Sequence, residues 1–310
     1  MKPNLSAFLL PFLLLLHQSL FTKAGLPLSK VSPNEFKWLR GKNQSKWIVH
    51  NFVEQNSSSP QQNQTTKQIK GLSQIKEYFS NFGYLQPSDT FDDSLDQQTV
   101  SAIKTYQQSF NLQVTGDLNN ETLQLISLPR CAVPDMNFTY NFIGNVSWPK
   151  AGNQWFQKIN LTYGFLPTSR ITANATEVFG QAFTRWANAT GRLQTNYDDA
   201  DIKVGFYNLD DVNADVYGVS FIREEPPSNV KTAEMRLNGK RLWALPSQNG
   251  SLSWENDVLD LESVTMHEIG HLLGLDHSFL NESVMFPYIL PSQQRKIQLS
   301  DSDKNNLLQQ

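Results

Sequence analysis

The chain has 310 residues, a formal net charge of −3, five histidines and a single cysteine. That charge offers no basic surplus of the kind a nucleic-acid partner requires. The lone Cys131 excludes an internal disulfide.

Residues 1–24 read as an export signal. Lys2 precedes an apolar run through Phe8, Leu9, Leu10, Phe12 and Leu13 to Leu16, and small residues surround Lys23 at the end. The run is too short to span a bilayer. No second long apolar run follows, and the tail from Asn305 to Gln310 is polar, so neither a membrane anchor nor a GPI tail is expected. The expected location is the extracellular space, the cell wall or the extracellular matrix. Sequons at Asn43, Asn56, Asn63, Asn120, Asn137, Asn145, Asn160, Asn174, Asn188, Asn249 and Asn281 are open to glycosylation in a eukaryotic host.

About 285 residues remain after the signal, a length that suits two domains. Residues 25–70 form a polar N-terminal segment, rich from Asn43 to Lys70 in Asn, Gln, Ser and Thr. Residues 71–135 turn helical. Leu72, Ile75, Phe79 and Phe82 make one apolar face, and Val100, Ile103 and Phe110, with Tyr106 alongside, make a second. Leu118 to Ile126 is a third short helix, capped by Asn119 or Asn120. Cys131 follows, flanked by Pro129 and Pro134, which favour an extended chain. Its bland reading is a small buried hydrophobe.

Residues 136–310 form the second domain. Ile159 to Phe165 and Ile202 to Tyr207 read as strands. Between them Val178, Ala182, Phe183 and Trp186 fall on helical spacing. A strand-helix-strand order implies parallel pairing with a right-handed crossover.

The densest chemistry lies in the stretch from His267 to His277, HEIGHLLGLDH, preceded by Asp260 as a helix cap. Residues four apart share a helix face, so His267 and His271 address one point. Glu268 lies one step round the helix, within reach of a water at that point without being a ligand. Gly274 can take a positive φ and end the helix, returning the chain so that His277 supplies a third nitrogen. Three ligands and an open position mark a catalytic zinc. A bare HExxH is often chance, but three of the five histidines fall in this one stretch, with Met285 downstream. An extended segment carrying the Cys131 thiolate can fill the open position. Ser300 and Asp303 read as the start of a last helix.

His267 to His277, followed by Met285 in Val284-Met285-Phe286-Pro287, matches the metzincin signature with its Met-turn. Pro129 to Asp135, PRCAVPD, resembles the cysteine switch of the matrix metalloproteinases, with Ala132 where glycine is usual. Ser278 is similar to the residue that marks matrixins among metzincins. The stretches from Asp260 to Ser278 and from Val284 to Ile289 resemble the plant branch. The resemblance implies an α+β fold, with a twisted, mostly parallel sheet and long helices around a zinc cleft, preceded by a three-helix propeptide. That bundle is also similar to peptidoglycan-binding modules.

The resemblance further implies a latent zinc endopeptidase, a monomer acting on protein or peptide substrates and inhibited by its own propeptide. Activation would cut the chain between Cys131 and about Tyr140. Glu268 would be the general base, Met285 an apolar floor, and Pro287, Tyr288 and Ile289 a wall of the S1′ pocket. Ser263 sits where the family limits that pocket's depth, so its small size implies room for a long apolar P1′ side chain such as Leu. Asp303 is available to pair with a new N-terminus, though its usual acidic neighbour is replaced by Ser302.

Matrixins usually bind a second, structural zinc and calcium ahead of the active-site helix. The stretch from Asn208 to Trp243 holds no histidine. Arg236 falls where a zinc ligand is expected, and Asn238 and Arg241 where calcium carboxylates are expected, so one catalytic zinc and no structural zinc is the expectation. Arg236, Lys240 and Arg241 can replace the lost metal charge by pairing with Asp210, Asp211 or Asp215, or form a solvated surface. Asp201 and Glu234 remain as candidates for one calcium. Two other functions stay open: an inactive zinc-binding decoy, which the intact Glu268 argues against, and a wall-polysaccharide-binding protein acting through the helical bundle.

Overall fold

The computed structural model describes residues 67–136, 146–149, 160–166, 171–190, 193–195, 200–209, 216–225, 230–245, 254–255, 258–290 and 293–308. The expected export signal and most of the polar segment lie outside these residues, as do Asp210, Asp211 and Asp215. No helix among the described residues is long and apolar enough to cross a membrane. The architecture is α+β.

The first unit is built on helices α1 (Leu72–Asn81), α2 (Gln97–Ser109) and α3 (Asn120–Ile126), with a short antiparallel pair β1 (Lys67–Gln68) and β2 (Ser94–Leu95). The Asp96 side chain caps α2 by accepting from Thr99 N at 2.7 Å, and Asn119 caps α3 by accepting from Thr122 N at 2.9 Å. Each satisfies an amide that has no partner inside its helix. Leu72, Ile75, Phe79, Phe82, Ile103, Tyr106 and Phe110 are buried together. Phe286 and Tyr288, from the other end of the chain, complete the same cluster. The bundle is therefore not closed on itself.

The second unit is a mixed sheet with helices against it. Its strands are β3 (Arg130–Cys131), β4 (Val146–Ser147), β5 (Leu161–Phe165), β6 (Leu193–Thr195), β7 (Ile202–Tyr207), β8 (Val216–Glu225) and β9 (Val230–Asn238). The order is β3-β8-β9-β7-β5-β6, with β4 also on β8. Pairs β3–β8, β7–β9, β5–β7 and β5–β6 are parallel, and β8–β9 and β4–β8 are antiparallel. Helix α4 (Ala173–Thr190) lies between β5 and β7, which pair parallel as the strand-helix-strand pattern predicts, and the short β6, which the pattern does not predict, adds a parallel strand on the other side of β5. A small sheet of β10 (Leu242–Ala244), β11 (Trp254–Glu255) and β12 (Val258–Asp260) leads into α5 (Leu261–Leu272), and α6 (Asp301–Leu308) ends the described chain.

Helix α5 is buried along its whole length, between α4 and β8. Trp186 of α4 donates its indole N–H to Met266 O at 3.0 Å, and Tyr163 stacks on Phe183 at 3.7 Å. These contacts fix the helix that carries the site. Cys131 lies on β3, so the segment that the sequence assigns to the propeptide is itself an edge strand of the sheet.

Candidate metal centre

Asp260 accepts from Ser263 N at 2.8 Å and starts α5. The helix ends where Gly274 takes φ 92°, with Gly274 N bonded to His271 O and Leu275 N to Gly270 O. The chain then turns back and places His277 beside His267 and His271. Met285 packs beneath α5 at Gly270, where a Cβ would lie 2.2 Å from the Met285 sulfur. Only glycine allows that approach.

The Nε2 atoms of His267 and His277 each lie 3.1 Å from Nε2 of His271, and Cys131 Sγ lies 3.5 Å from it. All four ligand atoms fall within 4.8 Å of one another. Tetrahedral zinc, with Zn–N near 2.05 Å and Zn–S near 2.3 Å, sets nitrogens roughly 3.3 Å apart and sulfur about 3.5 Å from them. The proton positions make the same point. Nδ1 of His267 faces Val284 O at 2.8 Å, Nδ1 of His271 faces Leu275 O at 2.8 Å, and Nδ1 of His277 faces Asp135 Oδ1 at 2.7 Å. Those acceptors have no proton to give, so each Nδ1 carries the hydrogen and each Nε2 presents a lone pair. Burial holds all three imidazoles below their ordinary pKa, His267 and His271 well below, so no proton separates them. Converging lone pairs in a dry site need a cation. The donor set fits zinc.

Glu268 is fully buried beside this cluster, and burial pushes its carboxyl up to about 7. Ser220 of β8 opposes that shift by donating to Glu268 Oε2 at 2.7 Å. The Cys131 thiol lies against the same carboxyl, and burial pushes it well above its usual range. Ser220 carries no sequence signal, because it reaches Glu268 only through the packing of β8 on α5.

Strand β3 and the residues beside it lie between two backbone edges. Cys131 N donates to Pro287 O on one side, and Ala132 N donates to Gly218 O on the other, both at 3.0 Å; Ile289 N donates to Pro129 O at 3.1 Å. Arg130 is buried, with its guanidinium 3.5 Å from the Phe82 ring centroid and paired to Asp135 at 2.6 Å. Burial disfavours an ionised Asp135, but the Arg130 charge and the His277 and Arg130 hydrogen bonds outweigh it and hold the carboxyl at about 2. Tyr288, expected in the S1′ wall, has its hydroxyl bonded to Tyr78, to Tyr106 at 2.7 Å and to Arg130 at 3.1 Å. The bundle thus rests on Tyr288.

The remaining expected residues are committed elsewhere. The Ser263 hydroxyl donates to Asp260 at 2.7 Å and accepts from Lys296 N at 2.9 Å. Asp303 accepts from Ser283 Oγ, from Val284 N at 3.1 Å and from Ser300 N at 2.8 Å, supporting the turn that carries Met285. Asp201 accepts from Thr162 N at 2.9 Å, tying β5 to β7. Arg236 pairs with Glu234 at 2.6 Å, Arg223 reaches the same carboxylate at 3.1 Å, and the Arg236 guanidinium lies 4.5 Å from the Tyr207 ring centroid and 4.8 Å from that of Phe221. Asn238 accepts from Lys240 N at 3.0 Å and donates to Val216 O at 3.0 Å. Asn120, Asn160, Asn174, Asn188 and Asn281 are exposed; the other sequons lie outside the described residues.

Three imidazoles, a carboxylate one residue after the first of them and a Met-turn beneath define a metal-dependent peptidase site. A family model described as matrixin matches residues 154–310, and a peptidoglycan binding domain model matches residues 68–126. Metalloendoproteinase 5-MMP of Arabidopsis thaliana is 36% identical over 258 residues, 76% of this chain and 69% of that protein. Metalloendoproteinase 1 of Glycine max is 35% identical over 250 residues, covering 76% of this chain and 79% of that protein. The chain belongs to the matrixin family. It is a zinc metalloendopeptidase, a hydrolase of peptide bonds.

Proposed function

We propose that the chain is a secreted endopeptidase made as a latent zymogen, with residues 71–135 as the inhibitory propeptide and 136–310 as the catalytic domain. His267, His271 and His277 hold one zinc, and Cys131 is the fourth donor while the enzyme is latent. When bound, zinc polarises a peptide carbonyl and acidifies the attacking water. Glu268, whose Oε2 is held by Ser220, takes the proton of the attacking water and returns it to the leaving amine. Ser220 holds one oxygen of that carboxyl and leaves the other for the proton. Pro287 O and Gly218 O, freed when the switch leaves, are the backbone acceptors that would align a peptide with an apolar P1′ residue.

One observation carries the reading: Cys131 Sγ joins the three Nε2 atoms while its own amide and that of Ala132 bond to both cleft edges. A thiol that filled core space alone would not need this double registration. The exposed sequons fit an exported protein. The aromatic residues Tyr78, Phe79, Phe82, Tyr84 and Tyr106 are buried in the bundle and against Tyr288, which favours an inhibitory role over a sugar-binding groove. The Arg236–Glu234–Arg223 cluster supports a domain built without the structural zinc, Glu234 being committed to two arginines rather than to calcium.

The test compares the full-length chain with its Cys131→Ser variant on a quenched peptide set of varied P1′. Cleavage by the variant without processing, against a silent parent, is the expected result. A variant that binds zinc and stays silent would overturn latency through Cys131.

A further inference from the structure

The three clustered histidines differ in what holds their second nitrogen. His267 and His271 stand on α5, and their Nδ1 atoms face Val284 O and Leu275 O, carbonyls of residues that follow the helix. His277 lies past the end of α5, beyond the Gly274 turn, so no helix fixes its ring. Its Nδ1 proton goes to Oδ1 of Asp135, 142 residues earlier in the chain, and both side chains are fully buried. That carboxylate is itself clamped. It pairs with Arg130 at 2.6 Å and accepts from the Tyr84 hydroxyl at 2.8 Å, while Asp135 N donates to Phe82 O at 3.1 Å. Phe82 and Tyr84 belong to the core of the bundle. One of the three histidines is therefore oriented by the segment around Cys131, and the other two are not.

We propose that Asp135 is a zinc-retention residue: its carboxylate tightens zinc binding through His277 in the latent chain, and the site holds the metal less tightly once the segment carrying Asp135 is removed. This rests on the zymogen reading. A carboxylate that accepts the Nδ1 proton of a ligating imidazole fixes the tautomer and the ring direction and makes Nε2 a better donor to the metal. A neutral carbonyl accepts the same proton more weakly, because it carries no charge. His267 and His271 keep their acceptors when the chain is cut, since Val284 O and Leu275 O lie on the retained side. His277 loses its acceptor in the same event that takes away the Cys131 sulfur. Arg130 offsets the buried charge of Asp135 and leaves the carboxylate able to serve His277. Processing thus uncovers the metal and loosens it, so the free zinc ion around the processed enzyme sets how much of it stays loaded.

The test measures the zinc Kd of the full-length chain by competition with a chromophoric chelator, for the parent, Asp135→Asn, Tyr106→Phe, Cys131→Ser and Cys131→Ser/Asp135→Asn. Asp135→Asn keeps the volume and removes the charge, and should raise the zinc Kd by about 10–100-fold, the usual effect of losing such a partner. The same rise is expected on the Cys131→Ser background, where it cannot run through the thiol. Tyr106→Phe removes the bond between the Tyr106 and Tyr288 hydroxyls across the bundle contact and should leave the zinc Kd unchanged. In the zinc-loaded parent, NMR should place the Nδ1 proton of His277 downfield of those of His267 and His271, as its shorter, charge-assisted bond requires. An unchanged Kd in folded Asp135→Asn overturns the proposal. So does an equal rise in Tyr106→Phe, which would mean that Asp135 acts only through docking of the bundle. Three indistinguishable Nδ1 protons in the parent overturn it even if Asp135→Asn fails to fold. Continued silence of a zinc-loaded Cys131→Ser chain overturns the latency reading instead, without moving the zinc Kd values, whereas a chain that binds no zinc overturns both.

Discussion

Asp135 accepts the Nδ1 proton of His277 at 2.7 Å, so a residue four positions after Cys131 orients one of the three clustered histidines. The same carboxylate takes Arg130 and, at 2.8 Å, the Tyr84 hydroxyl, while Asp135 N bonds to Phe82 O. The segment from Arg130 to Asp135 therefore meets the histidine cluster twice, through sulfur and through a histidine's second nitrogen.

Asp135→Ala should loosen that second contact. It leaves Arg130 buried without its carboxylate, a change that costs about 3–5 kcal/mol. The expected outcome is spontaneous peptidase activity together with faster reaction of Cys131 with a thiol reagent. Unchanged thiol protection would show that Asp135 contributes nothing to latency.

Ser220→Ala should slow turnover without weakening substrate binding. A hydrogen bond to a charged group is worth about 1.5–3 kcal/mol, which corresponds to a roughly ten- to hundredfold loss in kcat. Steady-state kinetics on the activated enzyme should show that loss with KM and zinc content unchanged. A fall in zinc content would mean that the hydroxyl supports the fold instead.

Gly270→Ala should disturb the floor of the site. Its Cβ would need to displace the Met285 sulfur and also lies 3.2 Å from Trp186. Overpacking of this kind costs about 1–3 kcal/mol. Thermal unfolding should shift down by roughly 3–10 °C, and a Met285→Ala background should recover part of it. No shift in either background would contradict the packing described.

Metal analysis of the purified chain should give one tightly bound zinc, and Arg236→Leu should not create a second site. That substitution leaves Glu234 with Arg223 as its remaining arginine partner and should destabilise by about 1–3 kcal/mol. Two tightly bound zincs per chain would contradict the reading of this region.

What the sequence made legible is what local geometry dictates. Helical periodicity puts His267 and His271 on one face, and Gly274 takes the positive φ that its place after the helix requires. Asp260 and Asn119 cap because a short polar side chain precedes each helix. Ser220, Tyr217 and Asp135 were not legible. Their partners Glu268, Pro287 and His277 lie 48, 70 and 142 residues away, and only the placing of β8 and β3 in the sheet brings them together. Glu234 is a different case. It stands two residues from Arg236 on one strand, where alternation puts both on one face, while the acids considered for Arg236 were those of the preceding loop. The bond from the Ser263 hydroxyl to the capping Asp260 is a further contact that the size of Ser263 alone does not reveal.

The central claim is that His267, His271 and His277 hold a zinc at which Glu268 acts as general base. The most direct measurement is cleavage of a quenched peptide by Cys131→Ser and by Cys131→Ser/Glu268→Ala, each with and without chelator. The account predicts cleavage that chelator abolishes and zinc restores, and a loss of about 10²–10⁴-fold without the Glu268 carboxyl. Equal cleavage by the two variants, or cleavage that survives complete removal of the metal, would contradict it.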